Sequence, residues 1–567
     1  MTVERLLRSA LRFKVLKLAL LVIPLALPLE LYAKRFEHIG VLKLQLAYLL
    51  LLVLCTVSTI AVAFIINSYV RVFYALLFGS LLTFWVAYEG TLHAFMTYDA
   101  FITMLHSRAF IGDAWAQFMS IFVRAIVLGL MICGGIALPP AARKHRLFPD
   151  LLTWALAPAV VLLITSIAYG RGGDGLQGLP GNDIVAAYLI LLEVETYRSE
   201  EAPREHVALA SSSAKPDYDV IFVVDESVRG DFLDVGSDTG VPSNLLGGNP
   251  AVHNFGLAAS GNNCSEGSNM LLRFGGTRED YRITTNHKPS IFHYAKSRGF
   301  RTVYVDGQRN GKRLQNGMDA YELSAIDEFI QFDDVKVVDR DIEIAKLISA
   351  RTRNRTPEFI YVNKVGAHFP VHDKYPDSFM RYTPALRRGT YESATDLAVR
   401  PNDLAWERYN NSYRNTLLWN VGEFFRIVLG SADLDHAFLL YTSDHGEDFG
   451  QNQESFKLHC SPEPSQYEGL VPLVIITGLP GWSEKAREWA VRNFNHSSHY
   501  NIFPTILAVL GYSDPKILST YGPSLFEYTH DPMTFNYRYY ARFGQPPQWK
   551  QVTIAQQPLK QAATPGK

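Results

Sequence analysis

The sequence predicts an N-terminal all-α membrane domain of five spanning helices, followed by an α/β domain with a mainly parallel sheet. Two observations support this prediction. Residues 1–170 consist largely of long apolar runs, whereas residues 200–567 have the composition of a globular protein. In the second part, short strand-like apolar runs alternate with helical patterns, which is typical of a parallel sheet covered by helices. The net charge of −1 over 567 residues averages over both parts and conceals the division.

Five apolar stretches are each long enough to cross roughly 30 Å of hydrocarbon. The first could instead be a signal peptide, because a basic region precedes its apolar core. Four more spans follow it and no A-x-A-like cleavage site is evident, so we favour a retained helix. The five stretches are Val15–Leu31, Leu42–Ile66, Val72–Phe95, Phe118–Leu138 and Leu151–Tyr169.

Lysine and arginine in the short loops predict the orientation of these helices, since both are enriched on the cytoplasmic side. One basic cluster lies at the N-terminus and another between the fourth and fifth spans, and both are expected on the cytoplasmic side. The loop with Lys34, Arg35 and Lys43 is basic as well and does not fit this orientation. An odd number of spans then places everything after Tyr169 in the periplasm of a Gram-negative cell, beyond the bacterial inner membrane. The two clusters are Arg5, Arg8, Arg12, Lys14, Lys17 and Arg143, Lys144, Arg146.

These patterns divide the chain into four segments. Residues 1–170 form the transmembrane domain, 171–210 a linker with an interfacial helix, 211–545 the periplasmic catalytic domain and 546–567 a C-terminal tail. The linker begins with a Gly-rich stretch, 170–181, that cannot be a stable helix. Asp183–Arg198 has helical apolar spacing and is expected to lie along the bilayer or to pack against the catalytic domain.

The catalytic domain contains five predicted strands and four predicted helices. The strands are Val220–Val224, Thr302–Val305, Phe359–Val362, Ala437–Thr442 and Pro472–Ile476. The helices are Ser290–Arg298, Ile342–Ala350, Tyr409–Leu429 and Tyr500–Leu510.

Polar side chains follow several of these strands, where an α/β sheet presents its ligand-binding edge. Glu226 follows the first strand, and Asp444 and His445 follow the fourth. Carboxylate and imidazole ligands together suit Zn²⁺ or Mn²⁺. His368 also follows a strand and His459 lies in a polar loop; either could serve a structural role, and their shared placement near strand ends favours a site.

Within Ser260–Leu272, a small polar loop opens what the pattern predicts to be an apolar helix. A hydroxyl at such a helix start lies where backbone N–H groups favour an anionic phosphate, which suits a nucleophile. The alternative is a serine that caps the helix. Ser265 and Ser268 are the two candidates.

In chain order, Val-Val-Asp-Glu226-Ser-Val-Arg, the loop with Ser265, Gly-Ala-His368-Phe-Pro and Thr-Ser-Asp444-His445-Gly-Glu resemble the membrane-bound phosphoethanolamine transferases of the alkaline phosphatase superfamily. The segment from Pro289 to Gln308 is similar to a family segment as well. The resemblance covers nearly the whole chain and implies an alkaline-phosphatase-like domain behind five spanning helices. The same motifs occur in the related lipoteichoic acid synthases.

The resemblance implies a role for each motif residue. Glu226, Asp444 and His445 bind zinc together with the nucleophile, and His368 and His459 bind a second metal or the substrate phosphate. Ser265 is favoured over Ser268 because it lies 39 residues after Glu226, a separation similar to the family's. His368, His459 and Lys312 are expected to stabilise the phosphoryl oxygens.

The chain departs from the family pattern at three places. Asn363 stands where the family commonly has a His, and Tyr500 follows His499 where the family has an Asp. The usual set of paired cysteines is also largely missing. Cys55 and Cys133 lie within spans, which leaves Cys264 and Cys460 in the periplasmic part. Each adjoins a proposed site residue, so formation of the site would bring them together, and that compartment permits a disulfide.

The implied activity is transfer of phosphoethanolamine from phosphatidylethanolamine to a glycolipid or glycan, such as lipid A or lipopolysaccharide core, through a phospho-serine intermediate. The implied partners are these lipids and the membrane, with no nucleic acid and a monomeric enzyme. A phosphoglycerol transferase differs only in the headgroup. A sulfatase normally places its nucleophile in a Cys/Ser-x-Pro-x-Arg context, whereas Ser265 precedes Glu-Gly-Ser-Asn. A membrane scaffold with a degenerate hydrolase domain is the non-enzymatic alternative.

Overall fold

The structure, a computed structural model, divides into two compact units whose main parts are Met1–Glu201 and Ala202–Tyr539. The basic loop with Arg143, Lys144 and Arg146 and the end of the predicted tail, 555–567, lie outside the described residues. The residues described are 3–92, 95–106, 111–140, 150–171, 173, 175–198, 203–212, 214–388, 403–450, 458–461, 463–539 and 546–554.

The first unit is helical. Its helices are α1 (Val3–Ala26), α2 (Leu29–Ile39), α3 (Leu42–Val62), α4 (Ser68–Leu92), α5 (Tyr98–His106), α6 (Ile111–Ala137), α7 (Asp150–Gly170) and α8 (Gly181–Arg198). Among the described residues, four helices are long and apolar enough to cross a membrane, and a bent pair makes a fifth span if it is counted as one. The unit therefore agrees with the predicted membrane domain.

Two predicted spans are shaped differently from a single straight helix. Val15–Leu31 is shared between α1 and α2, which meet at a bend of 43°. Pro28 immediately precedes α2, and proline lacks the N–H that would continue α1 through this position. In α6 the backbone is non-helical at Phe118 (φ −114°, ψ 25°), which is the residue where the fourth predicted span begins.

Helix α8 packs within the first unit. Asp183, Ile184 and Tyr188 are at most 1 % exposed, and the helix contacts α4 and α7. Asp183 accepts a hydrogen bond from Ser58 Oγ on α3 at 3.2 Å. The segment predicted to be interfacial, or to pack against the catalytic domain, thus contributes to the helical bundle.

An eight-stranded sheet organises the second unit. The strands are β1 (Asp219–Asp225), β2 (Val252–Ala259), β3 (Arg301–Asp306), β4 (Glu328–Gln331), β5 (Glu358–Asn363), β6 (Ala437–Ser443), β7 (Leu470–Thr477) and β8 (Ser497–Ser498), with β9 (Thr534–Asn536) and β10 (Trp549–Gln551) in a separate pair. The order in the large sheet is β4-β3-β5-β1-β6-β7-β2-β8. From β4 to β6 all neighbours are parallel, whereas β7 is antiparallel to β6 and β2. All five predicted strands are present, and β10 lies within the predicted tail.

The central strands are buried on both faces, which explains their continuous apolar runs. In β1, Val220, Phe222 and Val224 pack into the core on one face of the sheet. Ile221 and Val223 pack into the core on the other face. Since β1 has no exposed face, chemistry that needs polar side chains has to lie beyond its ends.

Helices cover both faces of this sheet. They are α9 (Ser265–Phe274), α10 (Tyr281–His287), α11 (Ile291–Ser297), α12 (Ala320–Ser324), α13 (Val337–Arg351), α14 (Asp403–Leu417), α15 (Phe424–Ser431), α16 (Trp482–Arg492), α17 (Ile502–Val509) and α18 (Lys516–Tyr521). The predicted helix Tyr409–Leu429 is continued across a π-helical segment, Leu418–Glu423, between α14 and α15. The other three predicted helices correspond to α11, α13 and α17.

Candidate metal centre

The carboxyl ends of β1 and β6 bring three predicted metal ligands together. The two strands are parallel neighbours with Asp225 opposite Ser443, so the residues that follow leave the sheet side by side. One ligand atom from each of Glu226, Asp444 and His445 lies within 4.8 Å of the others. All three residues are at most 2 % exposed. The arrangement is a buried cluster of two carboxylates and one imidazole.

Ser265 adds a hydroxyl to this cluster. It is the first residue of α9, and its Oγ donates a hydrogen bond to Glu226 Oε1 at 3.0 Å and lies 3.1 Å from His445 Nε2. Ser268 is used elsewhere: its hydroxyl donates to Asn262 O and accepts from Asn262 N, both at 2.9 Å. The Ser265 hydroxyl therefore lies against the cluster, whereas the Ser268 hydroxyl is bonded to the backbone of the preceding loop.

The donor set fits a divalent metal. Asp444 Oδ2 is buried and accepts no hydrogen bond within the part of the chain that the structure describes, although a buried charged oxygen normally has a partner. It faces His445 Nε2 at 3.8 Å. His445 Nδ1 lies 2.8 Å from Gly446 O, to which it donates, and this contact orients Nε2 toward the carboxylates as in metal-binding histidines. The four side chains suit Zn²⁺ or Mn²⁺.

The charges of the cluster compensate one another only in part, because burial and the Glu226 charge raise the pKa of Asp444 well above its usual value. Burial opposes the charge of His445, but the Asp444 carboxylate and the hydrogen bond with Glu226 raise its pKa to about 10. Burial likewise opposes the charge of Glu226, yet hydrogen bonding to His445 holds the pKa of this carboxyl well below its usual value. Because a metal ligand must be deprotonated, metal binding at His445 is expected to release a proton.

The two remaining predicted histidines adjoin this cluster. The rings of His459 and His445 are 4.5 Å apart, and those of His459 and His368 are 5.5 Å apart. His368 Nδ1 lies 2.7 Å from Phe369 O, to which it donates, and burial lowers the pKa of His368 to about 4. Its neutral Nε2 is therefore available as a metal ligand or hydrogen-bond acceptor.

Glu447, which is not among the residues predicted from the sequence, lies beside His459. It is buried, and its Oε1 lies 3.4 Å from His459 Nδ1. Burial raises the pKa of its carboxyl to about 7. Its position three residues beyond Asp444, in the same strand-end turn, is the signal that could have identified it.

Lys312 does not reach this cluster in the structure. Its exposed ammonium donates to the carbonyl oxygen of Phe329 on β4 and lies 4.8 Å from the Phe329 ring. A different lysine, Lys374, is buried and donates to the carbonyl oxygen of His368. No strand end or motif marks Lys374 in the sequence, because it lies on the loop six residues after His368.

Gln308 is a third residue beside the cluster that the sequence did not predict. Its Nε2 donates to Glu226 Oε2 at 3.0 Å and to Lys364 O at 2.8 Å. It follows β3 by two residues, so the same strand-end rule that identified Glu226 could have identified it. Gln308 therefore binds the Glu226 oxygen that Ser265 does not bind.

Asp225 shows that not every strand-end acid is a ligand. Its Oδ2 accepts from Lys364 Nζ at 2.7 Å and from Tyr441 Oη at 3.0 Å, and all of these groups are buried. Lys364 Nζ also donates to Asn420 O at 2.6 Å. This buried ion pair is formed by the residue that precedes Glu226, and it stabilises the end of β1.

A disulfide joins Cys264 and Cys460, the pairing that the sequence permitted. It covalently connects the residue before Ser265 to the residue after His459. Cys55 and Cys133 are free and lie on α3 and α6, as their positions in predicted spans require.

Residues 219–512 match the sequence profile of the sulfatase family. The integral membrane lipooligosaccharide phosphoethanolamine transferase A of Neisseria meningitidis superposes with a TM-score of 0.62 at 16 % identity, over 89 % of this chain and 96 % of that chain. The C-terminal periplasmic domain of EptC from Escherichia coli, in complex with Zn, superposes with a TM-score of 0.48 at 14 % identity, over 59 % of this chain and 92 % of that chain. No curated protein sequence matches the chain. The Neisseria structure shows a shared fold, in which membrane helices precede an alkaline-phosphatase-like domain.

Proposed function

The chain belongs to the sulfatase family, and we propose that it transfers phosphoethanolamine from phosphatidylethanolamine to an envelope glycolipid or glycan. The observation that carries this proposal is the position of Ser265 Oγ, 3.0 Å from Glu226 Oε1 and 3.1 Å from His445 Nε2. A hydroxyl held against a metal-ligand cluster at a helix start is suited to attack phosphorus. The likeness to the Neisseria transferase supports the choice of headgroup.

In the first step, Ser265 Oγ attacks the phosphorus of the donor lipid, and its proton passes, directly or through water, to one of the neighbouring histidines. The phosphorus–oxygen bond to diacylglycerol breaks, and the leaving oxygen takes a proton from the site or from water. Phosphoethanolamine is then bonded to Ser265. An acceptor hydroxyl or phosphate attacks from the same pocket and restores the Ser265 hydroxyl, so ping-pong kinetics are expected.

The neighbouring side chains stabilise the phosphoryl oxygens. His368 and His459 line one side of the cluster, and either can act as a general acid or base. Buried Lys374 supplies a positive charge on that side. Zn²⁺, or alternatively Mn²⁺, held by Glu226, Asp444 and His445, would lower the pKa of the serine hydroxyl and screen the repulsion between nucleophile and phosphate.

The membrane unit suits a reaction in which the donor and the leaving group are both lipids. We propose a monomer in the bacterial inner membrane, with residues 1–170 spanning the bilayer and 211–545 in the periplasm. This orientation rests on the arginine and lysine distribution in the loops. It places the site on the side where envelope glycolipids such as lipid A are displayed.

Mass spectrometry of envelope glycolipids tests the proposal, using cells with and without the gene and complemented by wild type, Ser265→Ala or Ser268→Ala. We expect wild type and Ser268→Ala to add phosphoethanolamine, and Ser265→Ala to add none. Addition of glycerol phosphate would instead identify a phosphoglycerol transferase. A chain that modifies no lipid or glycan and binds no metal would be a scaffold, and the proposal would be wrong.

A further inference from the structure

The Cys264–Cys460 disulfide connects the two sides of the candidate site. Cys264 directly precedes the helix that begins with Ser265, and Cys460 follows His459. The S–S bond therefore ties the backbone of the nucleophile to the backbone of a histidine that the sheet does not place. His459 lies between β6 and β7, beyond the strand end that carries Asp444 and His445.

Hydrogen bonds around Asn263 reinforce this connection. Cys460 N donates to Asn263 O at 2.8 Å. Asn263 Nδ2 donates to Ser461 O at 3.0 Å and to Glu468 Oε2 at 2.9 Å. Ser461 N donates to the same Glu468 oxygen at 3.0 Å. We call the disulfide, Asn263, Ser461 and Glu468 the clasp.

The backbone conformation at Cys460 also indicates that this segment is held in place. Cys460 has a φ of 57°, which is uncommon for a residue with a side chain. Such conformations persist where the surrounding contacts fix them. At Cys460 those contacts are the disulfide and the bond to Asn263 O, and the ring of the preceding residue, His459, lies 4.5 Å from the His445 ring.

We propose that the clasp holds His459 in its catalytic position opposite Ser265, so that Cys264, Cys460 and Glu468 are positioning residues for phosphoryl transfer. This inference rests on the proposed function for its kinetic consequence, but the position of His459 is a property of the folded chain. Ser265 and His445 are also held by α9 and β6, whereas His459 lies on a loop that is held by the clasp. Its loss should therefore affect His459 selectively.

The kinetic test combines two changes in the full-length protein loaded with zinc. We expect Cys264→Ser/Cys460→Ser to lower turnover about 10-fold and His459→Ala about 100-fold, since small misplacements of catalytic groups are costly. If the clasp acts through His459, the combined variant should also lose about 100-fold, whereas independent effects would multiply to about 1,000-fold. Multiplication of the two effects would overturn the inference.

A second measurement does not depend on activity. The rate at which diethyl pyrocarbonate modifies each histidine is followed by peptide mass spectrometry. In Cys264→Ser/Cys460→Ser we expect His459 to react several-fold faster and buried His445 to react at the wild-type rate. An unchanged His459 rate would show that the clasp does not hold this residue, and that result is separate from any failure of the proposed function.

Dithiothreitol can remove the disulfide from wild-type protein after folding, so this test does not require a protein without the disulfide to fold. The reagent becomes a cyclic disulfide as the protein gains two thiols, and His459 should then react as in the double variant. Cys55→Ala/Cys133→Ala is the matched control: it keeps the clasp and should respond to dithiothreitol as wild type does. If that control no longer responds to dithiothreitol, the effect comes from the membrane cysteines and the inference is wrong.

Discussion

The two halves of the candidate site are held in different ways. Glu226, Asp444 and His445 directly follow adjacent parallel strands and are at most 2 % exposed. His459 lies on a loop, and 19 % of its side chain is exposed. Strand ends are fixed by the sheet, whereas residues on loops depend on bonds of their own. We therefore expect metal binding to depend on the strand ends, and turnover to depend on the loops as well.

The largest expected effect comes from the half that the sheet builds. Asp444→Asn removes a ligand charge while the new amide oxygen can still accept the bond that Ser227 N donates at 3.0 Å. We expect loss of stoichiometric metal, measured by elemental analysis, and a loss of turnover of about 1,000-fold or more. Asp231→Asn is the control, because Asp231 pairs with Arg229 and should leave the metal content unchanged. Retention of one metal per chain in Asp444→Asn would contradict the assignment.

Substitutions of the two histidines on loops should lower turnover without removing the metal. His368→Ala and His459→Ala remove the histidines that we propose stabilise the phosphoryl oxygens and leave Glu226, Asp444 and His445 in place, so we expect turnover to fall by roughly 100-fold. At least one metal should remain on each chain, as elemental analysis would show. His436→Ala, at the opposite end of β6 and exposed, should behave as wild type. Loss of all metal from either site variant would remove the distinction between the halves.

Substitution of Lys374 and of Lys312 should have smaller effects on turnover, and the two effects should differ in size. Lys374→Met removes a buried charge and the bond to His368 O, and we expect a loss of turnover of about 10-fold. Lys312→Met removes an exposed bond to β4 and should change turnover less than about two-fold. Steady-state kinetics of both variants decide the matter. The reverse order would show that the Lys312 loop moves into the site when substrate binds.

The smallest effect lies at the amino end of β1, away from the site. Burial and the Glu358 charge raise the pKa of Asp219 to about 7, above its value of about 3.9 in an unfolded chain. The protonated folded form is thus favoured, and this stabilisation is lost as the pH rises through about 7. Asp219→Asn should therefore gain stability relative to wild type as the pH rises from 5 to 8, by about 2–4 °C in Tm. If the Tm of wild type and that of Asp219→Asn differed by the same amount at every pH from 5 to 8, the raised pKa of Asp219 would be contradicted.

The sequence predicted the elements whose signals are local. The five predicted strands are apolar runs buried on both faces, and the acids and histidine at two of their ends form the cluster. β2 was missed because its sequence contains Gly256, at φ 80°, and its pairing with β7 is irregular between Asn254 and Leu257. Because of these two features, the β2 sequence lacks the continuous apolar run by which the other strands were predicted.

The rest of the site depends on contacts between distant segments, which one sequence does not display. Nothing local distinguishes Asp225, which pairs with Lys364, from Glu226, which faces Ser265. The burial of Lys374 against His368 depends on the path of a loop. The disulfide was permitted by the positions of Cys264 and Cys460, but its formation depends on the fold.

The central claim is that the phosphoryl group passes through Ser265. Incubation of the purified, metal-loaded protein with phosphatidylethanolamine, followed by acid quenching and peptide mass spectrometry, tests it directly. We predict one added phosphoethanolamine group on Ser265, in wild type and in Ser268→Ala. Label on Ser268, or transfer to acceptor by Ser265→Ala at the wild-type rate, would contradict the account.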